Sequence, residues 1–379
     1  MAALRGLFIC NDHSRYLENP AKKFGCKFNN IVVIMDHRTQ GAIAMAHSQS
    51  RIIPLFRAGL VILVLPAPAF ALMNGSGVDA NTSDSPWAGV VSITASQGGT
   101  YSGALIGDRY VLTAAHVVYG NRNTPGNLIF NLNYGGNLTQ QITGEAVFIH
   151  PSYTTGNTSS DSLFAWNDDI AVVRLSSPVV SGVPTYSVFT GSLSDKREVT
   201  MVAYGGSGDG ASGSVTSGSN PTVKRVGRNR VDVLLPDDEG SGQSEVLVFD
   251  FDGPNASTNV YGNPNDLANL TLGASSEAQY AGGDSGSPIF VNDNGIWKIA
   301  GIGAFNGGTE LVCDKDAQGK LSNCINTKFG SIGGGMVVAP YAGWIQAQMV
   351  SQVPEADTWA MLLAGLGLLA GFAQTRQKR

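Results

Sequence analysis

Three residues stand in settings that suit nucleophilic attack on a carbonyl. His116 closes the run "YVLTAAH", where apolar residues give way to small ones that leave an imidazole room to face a cleft. Asp169 comes directly before the apolar run "IAVVRL", and Ser285 lies in "GGDSGSP", among glycines that let another backbone approach closely. Cleaving an amide or ester through a serine needs a base to take its proton, an acid to hold that base in one tautomer, and donors for the developing oxyanion. Base candidates are few: beyond residue 71 the sequence holds two histidines, His116 and His150. A single histidine is more often a structural residue, so the weight rests on three motifs agreeing in order. Asp168 is a rival for the orienting acid.

The elements that must carry these residues read as short strands. "WAGVVSITA", "YVLTAAHVV", "DIAVVRL" and "EVLVFDFDG" are apolar, partly alternating, and bounded by Gly, Asn, Asp or Pro. The 48 glycines fit frequent tight turns, which favours an all-β chain. "AYGGSGDGASGSVTSGSNP", residues 203–221, reads as a low-complexity surface loop whose glycines lack the strand-to-helix setting of a dinucleotide site. The acidic pieces "LPDDEGSG" and "FDFDGPN" could hold calcium, but their spacing matches no liganding loop, so solvated turns are the favoured reading. With 43% hydrophobic and 14% charged residues, the 379-residue chain folds. A formal net charge of −5 supplies no cluster of Lys and Arg, so a nucleic-acid partner is not expected.

The two ends read as targeting segments. Residues 51–71 carry Arg51 and Arg57, an apolar run from Ala58 to Leu65, and a small-x-small end at Ala69-Phe70-Ala71. This is the pattern of a signal peptide cut after Ala71 by signal peptidase, and Met45 opens a segment of conventional length. Residues 45–71 are then the signal peptide, and 1–44 a mis-assigned N-terminal extension with no role in the fold. Cys10 and Cys26 fall in that extension, whereas Cys313 and Cys324 share one polar loop, "VCDKDAQGKLSNC". In an oxidising compartment a disulfide closing so short a loop contributes roughly 3 kcal/mol. Two thiolates with no nearby histidine make a poor zinc set, and no metal or cofactor is expected. From Val353 onward an apolar run, Trp359 to Ala373, leads to Arg376, Lys378 and Arg379. Such a run barely crosses a bilayer core of ~30 Å, as a transient membrane anchor with its basic end in the cytoplasm. Residues 353–379 resemble the PEP-CTERM sorting signal of Gram-negative bacteria, with Val353-Pro354-Glu355-Ala356 where the family usually reads Val-Pro-Glu-Pro. That resemblance implies export across the inner membrane, processing by an exosortase, and a place at the cell surface or in the medium.

Over roughly residues 72–350 the chain resembles the trypsin/chymotrypsin family of serine proteases. Leu112 to His116 matches the family's "LTAAH", Asp169-Ile170-Ala171 its "DIA", and Gly283 to Pro288 its "GDSGGP" with Ser287 in place of a glycine. Weaker echoes are Pro86-Trp87, "HPSY" from His150, "VAYGGSG", and Tyr341 with Trp344-Ile345. An α/β-hydrolase is excluded, since position 287 is not Gly and no histidine follows Ser285.

The resemblance implies two packed six-stranded antiparallel β-barrels, about 72–190 and 191–350, closed by a short C-terminal helix around 341–350. It implies a serine endopeptidase acting on a protein or peptide substrate. Ser285 would be the nucleophile, His116 the base and Asp169 the orienting acid, with the N–H groups of Gly283 and Ser285 as oxyanion hole. His150 reads as structural. Asp284 would pair with a new N-terminus, and Leu72-Met73-Asn74-Gly75 resembles the family's "IVGG" start. Gln279 falls at the base of the primary specificity pocket, where no carboxylate would select Lys or Arg. Ala304-Phe305-Asn306 would pair with substrate backbone, and Gly333-Gly334-Gly335 would leave a pocket wall uncrowded. Val117 and Ala281 stand where the family often has half-cystines. The competing reading is a catalytically silent binding module on the same fold, against which the intact His116, Asp169 and Ser285 argue.

Overall fold

Strands this short must pair to bury their apolar faces, and in the computed structural model they do so as antiparallel ladders. The structure describes residues 27–28, 31–32, 72–96, 98–154, 168–216, 219–262, 271–350, 361 and 363–366. The chain divides into two units, Met1–Val64 and Leu65–Arg379. In the first, Lys27–Phe28 pairs with Ile31–Val32. The signal peptide read at 45–71 lies outside the described residues, as does most of the C-terminal segment, where Met361, Leu363 and Leu366 are exposed. No helix among the described residues is long and apolar enough to cross a membrane.

The second unit begins with a closed barrel. Its strands are β1 (Val90–Thr94), β2 (Thr100–Gly107), β3 (Tyr110–Thr113), β4 (Ile129–Leu132), β5 (Gln140–Ile149) and β6 (Ala171–Leu175). They join in the order β1-β2-β3-β6-β5-β4, and a one-turn helix α1 (Ala115–Val118) follows β3.

A larger antiparallel sheet follows, built from β7 (Glu198–Ala203), β8 (Arg225–Arg230), β9 (Val233–Pro236), β10 (Ser244–Asp250), β11 (Pro288–Asp293), β12 (Ile296–Gly307) and β13 (Ile332–Val337). Its order is β9-β10-β13-β12-β11-β7-β8, with Gly77–Val78 on the outer edge of β8. The two ends of that order are consecutive in the chain. Val231 N–H donates to Arg197 O, continuing the β7 ladder, and Asp232 N–H donates to Val248 O, continuing the β10 ladder. The segment 225–236 is therefore one bent strand that pairs on both sides, and the sheet curls into a second barrel of six. Helix α2 (Ala342–Val350) follows β13.

Aromatic rings fill the seam between the barrels. Phe290 lies 5.1 Å from Trp87 and 4.7 Å from Tyr186, centroid to centroid. Tyr204, fully buried, donates its hydroxyl to Val90 O at 3.0 Å and accepts from Asn133 Nδ2 at 3.0 Å. This corrects the reading of 203–221 as a surface loop: Tyr204 to Gly208 are buried, and Ser207–Asp209 pairs with Gly213–Thr216. Gly205 is there for close approach, since a Cβ would come within 2.2 Å of Asp284 Oδ1. The piece "FDFDGPN" is not a solvated turn either. Asp250 and Asp252 are 1% and 3% exposed, because β10 carries them into the interior.

One cation is fully buried near this seam. Lys224 Nζ donates to Trp87 O at 2.9 Å and lies 3.3 Å from Asp79 Oδ1. Burial lowers the lysine pKa, and the Asp79 charge works the other way. Removing one member of a buried pair strands the other charge, which typically costs ~3 kcal/mol or more. Lys224→Ala is therefore expected to lower the unfolding free energy by about that amount, read from the shift of a urea unfolding midpoint at unchanged slope.

Candidate active site

The register of β3 against β6 places the first two residues. Leu112 faces Val172 and Thr113 faces Ala171, so His116, three residues past β3, and Asp169, two before β6, emerge at the same end of neighbouring strands. Asp169, 1% exposed, accepts from His116 Nδ1 at 2.6 Å through Oδ2 and from the His116 backbone N–H at 2.8 Å through Oδ1. A carboxylate only accepts, so this contact puts the imidazole proton on Nδ1 and leaves Nε2 as an acceptor. Burial opposes protonation of His116, but the charge and hydrogen bond of Asp169 outweigh it and hold the pKa above the usual 6.5.

Its neighbour Asp168 faces another way. With φ +58°, it turns the chain so that its carboxylate lies 2.7 Å from His150 Nδ1, while Tyr341 and Trp344 meet that imidazole edge-on. Each acid thus holds one histidine, and His150 joins the first barrel to the C-terminal segment.

Ser285 sits on a turn pressed against the first barrel. Ser102 N–H on β2 donates to Ser285 O at 2.9 Å. Gly286 (φ +78°) has no room for a Cβ, which would lie 2.1 Å from Thr113 Oγ1 and 2.4 Å from Ser102 O. At Gly283 (φ +93°) a Cβ would meet Thr100 O at 2.8 Å. L side chains rarely adopt such φ values, so both positions require glycine twice over. Among the described residues neither the Gly283 nor the Ser285 N–H donates a hydrogen bond, whereas Asp284, Gly286 and Ser287 N–H groups are all used within the turn or by Gly303.

His116 and Ser285 line one cleft of about 400 Å³, together with Gly282, Ala304, Phe305 and Asn306. Gln279 does not line it: fully buried, it donates from Nε2 to Ser331 Oγ at 3.2 Å and accepts from Tyr280 N–H at 2.7 Å. The three glycines of β13 leave no open wall. A Cβ on Gly333 would strike Gln279 Oε1, one on Gly334 the Phe305 ring, and one on Gly335 the Ile302 carbonyl. Their missing side chains make room for neighbours already present.

Asp284, 1% exposed, accepts from Gly205 N–H at 2.8 Å and Ala281 N–H at 2.7 Å. Burial pushes its pKa up to about 7, against those two donors and the charge of Arg225. Ser102, Gly205 and Arg225 were not singled out in the sequence. Gly205 was hidden in the glycine-rich run, and a serine within a strand carries no signal. The Cys313–Cys324 disulfide is present. Among the described residues, two acidic groups come close enough to share a cation, Asp168 with Asp238 and Glu239, and Asp250 with Asp252 and Glu277.

Two family models match parts of the chain. The Trypsin family model matches residues 75–236, ending before Ser285, and the PEP-CTERM protein-sorting motif matches residues 352–379. The chain is 44% identical over 87 residues to the complement C1s subcomponent of Sus scrofa, and 42% identical over 88 residues to a calcium-dependent serine proteinase of Mesocricetus auratus. Each alignment covers 22% of this chain and 12% of the relative, so the chain matches about an eighth of the length of these relatives. With the barrel that carries His116 and Asp169 inside the matched span, residues 75–236 are similar to the Trypsin family and residues 352–379 to the PEP-CTERM protein-sorting motif.

Proposed function

We propose that the chain is an exported serine endopeptidase that cleaves peptide bonds through an acyl-enzyme. The observation that carries this is the 2.6 Å contact of His116 Nδ1 with buried Asp169, made at the edge of the cleft that Ser285 also lines. Neutral His116 takes the Ser285 hydroxyl proton at Nε2 as the oxygen attacks the carbonyl carbon, then gives it to the leaving amine. Asp169 keeps the imidazole in that tautomer and stabilises its cationic form. The unused N–H groups of Gly283 and Ser285 receive the oxyanion, each donor typically contributing ~3 kcal/mol to the barrier. A water then repeats the cycle on the acyl-enzyme.

The sorting motif indicates export and implies an exosortase as processing partner. Signal peptidase cutting after Ala71 would free the α-amino group of Leu72. Leu72 is fully buried, and Met73 is held by Gln279 through N–H···O contacts of 2.8 and 3.1 Å. In this reading the new ammonium reaches Asp284 and orders the serine turn. The charged pair would lower the Asp284 pKa from about 7 and raise that of the amine above its ordinary value of roughly 7.7–8.0. Substrates with medium-sized apolar or polar side chains fit a cleft edged by Ala304 and Phe305, whose lining among the described residues includes no carboxylate to favour Lys or Arg.

A fluorophosphonate labels the folded wild-type chain and not Ser285→Ala; an unlabelled wild type would instead favour the binding-module reading, and a peptide-library profile then defines the cut. Asp169→Asn lowers kcat by about 10⁴-fold, because Nδ1 no longer keeps its proton. In the wild type kcat/KM falls on acidification through a midpoint above 6.5, as His116 takes up a proton. A mature chain starting at Leu72 is active, and one extra residue before Leu72 lowers activity by at least about tenfold, since Asp284 then lacks the charge-assisted bond to the ammonium, typically ~1.5–3 kcal/mol, beyond what Gly205 and Ala281 N–H supply. Activity of the Leu72 form fades as pH rises through the raised pKa of its amine, where the ammonium is lost.

A further inference from the structure

The described residues hold a second buried polar cluster, away from the cleft. Asp250 at the end of β10, Asp252 two residues on, and Glu277 in the segment leading to the serine turn are 1%, 3% and 0% exposed. One carboxylate oxygen from each lies within 4.8 Å of the others.

Two of the three are fixed by backbone. Asp250 Oδ2 accepts from the N–H groups of Val260 and Tyr261, the latter at 3.0 Å. Glu277 accepts from Leu272 N–H at 2.7 Å and Asp252 N–H at 2.8 Å. Asp252 differs: neither of its buried carboxylate oxygens takes a hydrogen bond of ordinary geometry from the described residues, and the Thr271 hydroxyl is the one polar side chain near enough to oppose the rise of its pKa. Nor does any lysine or arginine among those residues form an ion pair with the three acids. Asp232, which accepts from Asp250 N–H at 2.8 Å, adds a fourth carboxyl beside them. Buried polar groups are almost always partnered, and buried like charges cannot all ionise without a counter-charge. We propose that Asp250, Asp252 and Glu277 bind one hard divalent cation of the calcium class.

The donor set decides the class. Oxygen ligands alone disfavour zinc and other softer metals. Calcium at 2.3–2.6 Å from each oxygen accommodates oxygens up to ~5 Å apart, whereas magnesium at 2.0–2.1 Å reaches only ~4 Å and keeps most of its waters. Such an ion would join the end of β10 to the segment 272–279, whose Gln279 pairs with Met73. The site is independent of the reading of Ser285 as a nucleophile.

The test uses the purified full chain, stripped with a chelator and titrated with calcium chloride by calorimetry, with thermal unfolding followed in parallel. One calcium per chain is expected to bind and raise Tm by several degrees, with magnesium at the same concentration giving a smaller rise. Asp252→Asn and Glu277→Gln should each weaken calcium binding at least about tenfold while keeping the wild-type near-ultraviolet circular dichroism. The double variant Asp238→Asn, Glu239→Gln, in the exposed acidic turn, should bind as the wild type does. No calcium uptake by the wild type, undiminished uptake by both Asp252→Asn and Glu277→Gln, or loss of uptake in the Asp238/Glu239 variant would each overturn the proposal. If Asp252→Asn does not fold, Glu277→Gln alone decides.

Discussion

The hydrogen bond from Ser102 N–H to the Ser285 carbonyl, 2.9 Å long, joins the two barrels at the point where chemistry is proposed. Ser285 belongs to the second barrel by sequence and His116 to the first, so their relative position depends on how closely the barrels dock. Gly283 and Gly286 permit the contact: with any larger residue, Thr100 O, Ser102 O and Thr113 Oγ1 would push the turn away. A nucleophile displaced by even 1 Å loses orders of magnitude in rate. The aromatic seam of Trp87, Tyr186 and Phe290 supplies apolar area, but the glycines decide the distance at which it closes.

Docking that close buries charge, and three charges buried around the cleft and the seam each have specific partners. Asp169 is held by two donors from His116, Asp284 by Gly205 and Ala281 with Arg225 nearby, and Lys224 by Asp79 and Trp87 O. Desolvating any of these alone would cost several kcal/mol, and pairing recovers most of it. What remains is geometric: a carboxylate with both oxygens engaged cannot rotate. Asp169 thereby fixes the imidazole plane, and Asp284 fixes the backbone that carries the Ser285 N–H.

The local motifs were legible because they are contiguous. "LTAAH", "DDIA" and "GDSGSP" each place a chemical group at the end of a strand or in a turn, and β3/β6 pairing then brings His116 and Asp169 together. Of the two adjacent acids, only the positive φ at Asp168 separates their roles, and a backbone angle is invisible in composition. Tyr204 and Gly205 were masked by a run of Gly and Ser that resembles a linker, though the glycine there answers to a carboxylate eighty residues away in sequence. Gln279 and the β13 glycines were misleading for the same reason. Gly333 looks like open space until Gln279, fifty-four residues earlier, is seen to fill it. Asp250 and Asp252 read as surface turn because acids usually are, and only the path of β10 into the barrel buries them.

These long-range contacts converge on a single segment, 272–287. Glu277 anchors its start to Asp252 N–H and Leu272 N–H, Gln279 ties it to Met73 and Ser331, Asp284 clamps it to Gly205, and Ser285 O bonds to Ser102. Few of these residues lie in regular strand or helix, so the segment has no ladder of its own to hold it. Its order has to come from outside: from the N-terminal stretch at Met73, from the first barrel at Ser102, and from the end of β10 at Asp250 and Asp252. A backbone that, in the proposed reaction, offers two N–H groups to an oxyanion cannot satisfy itself locally, because local satisfaction would use them. The distributed anchoring of 272–287 is therefore the structural counterpart of the unused donors at Gly283 and Ser285, the two N–H groups that the proposed reaction calls on, while Asp284, Gly286 and Ser287 N–H are already bonded.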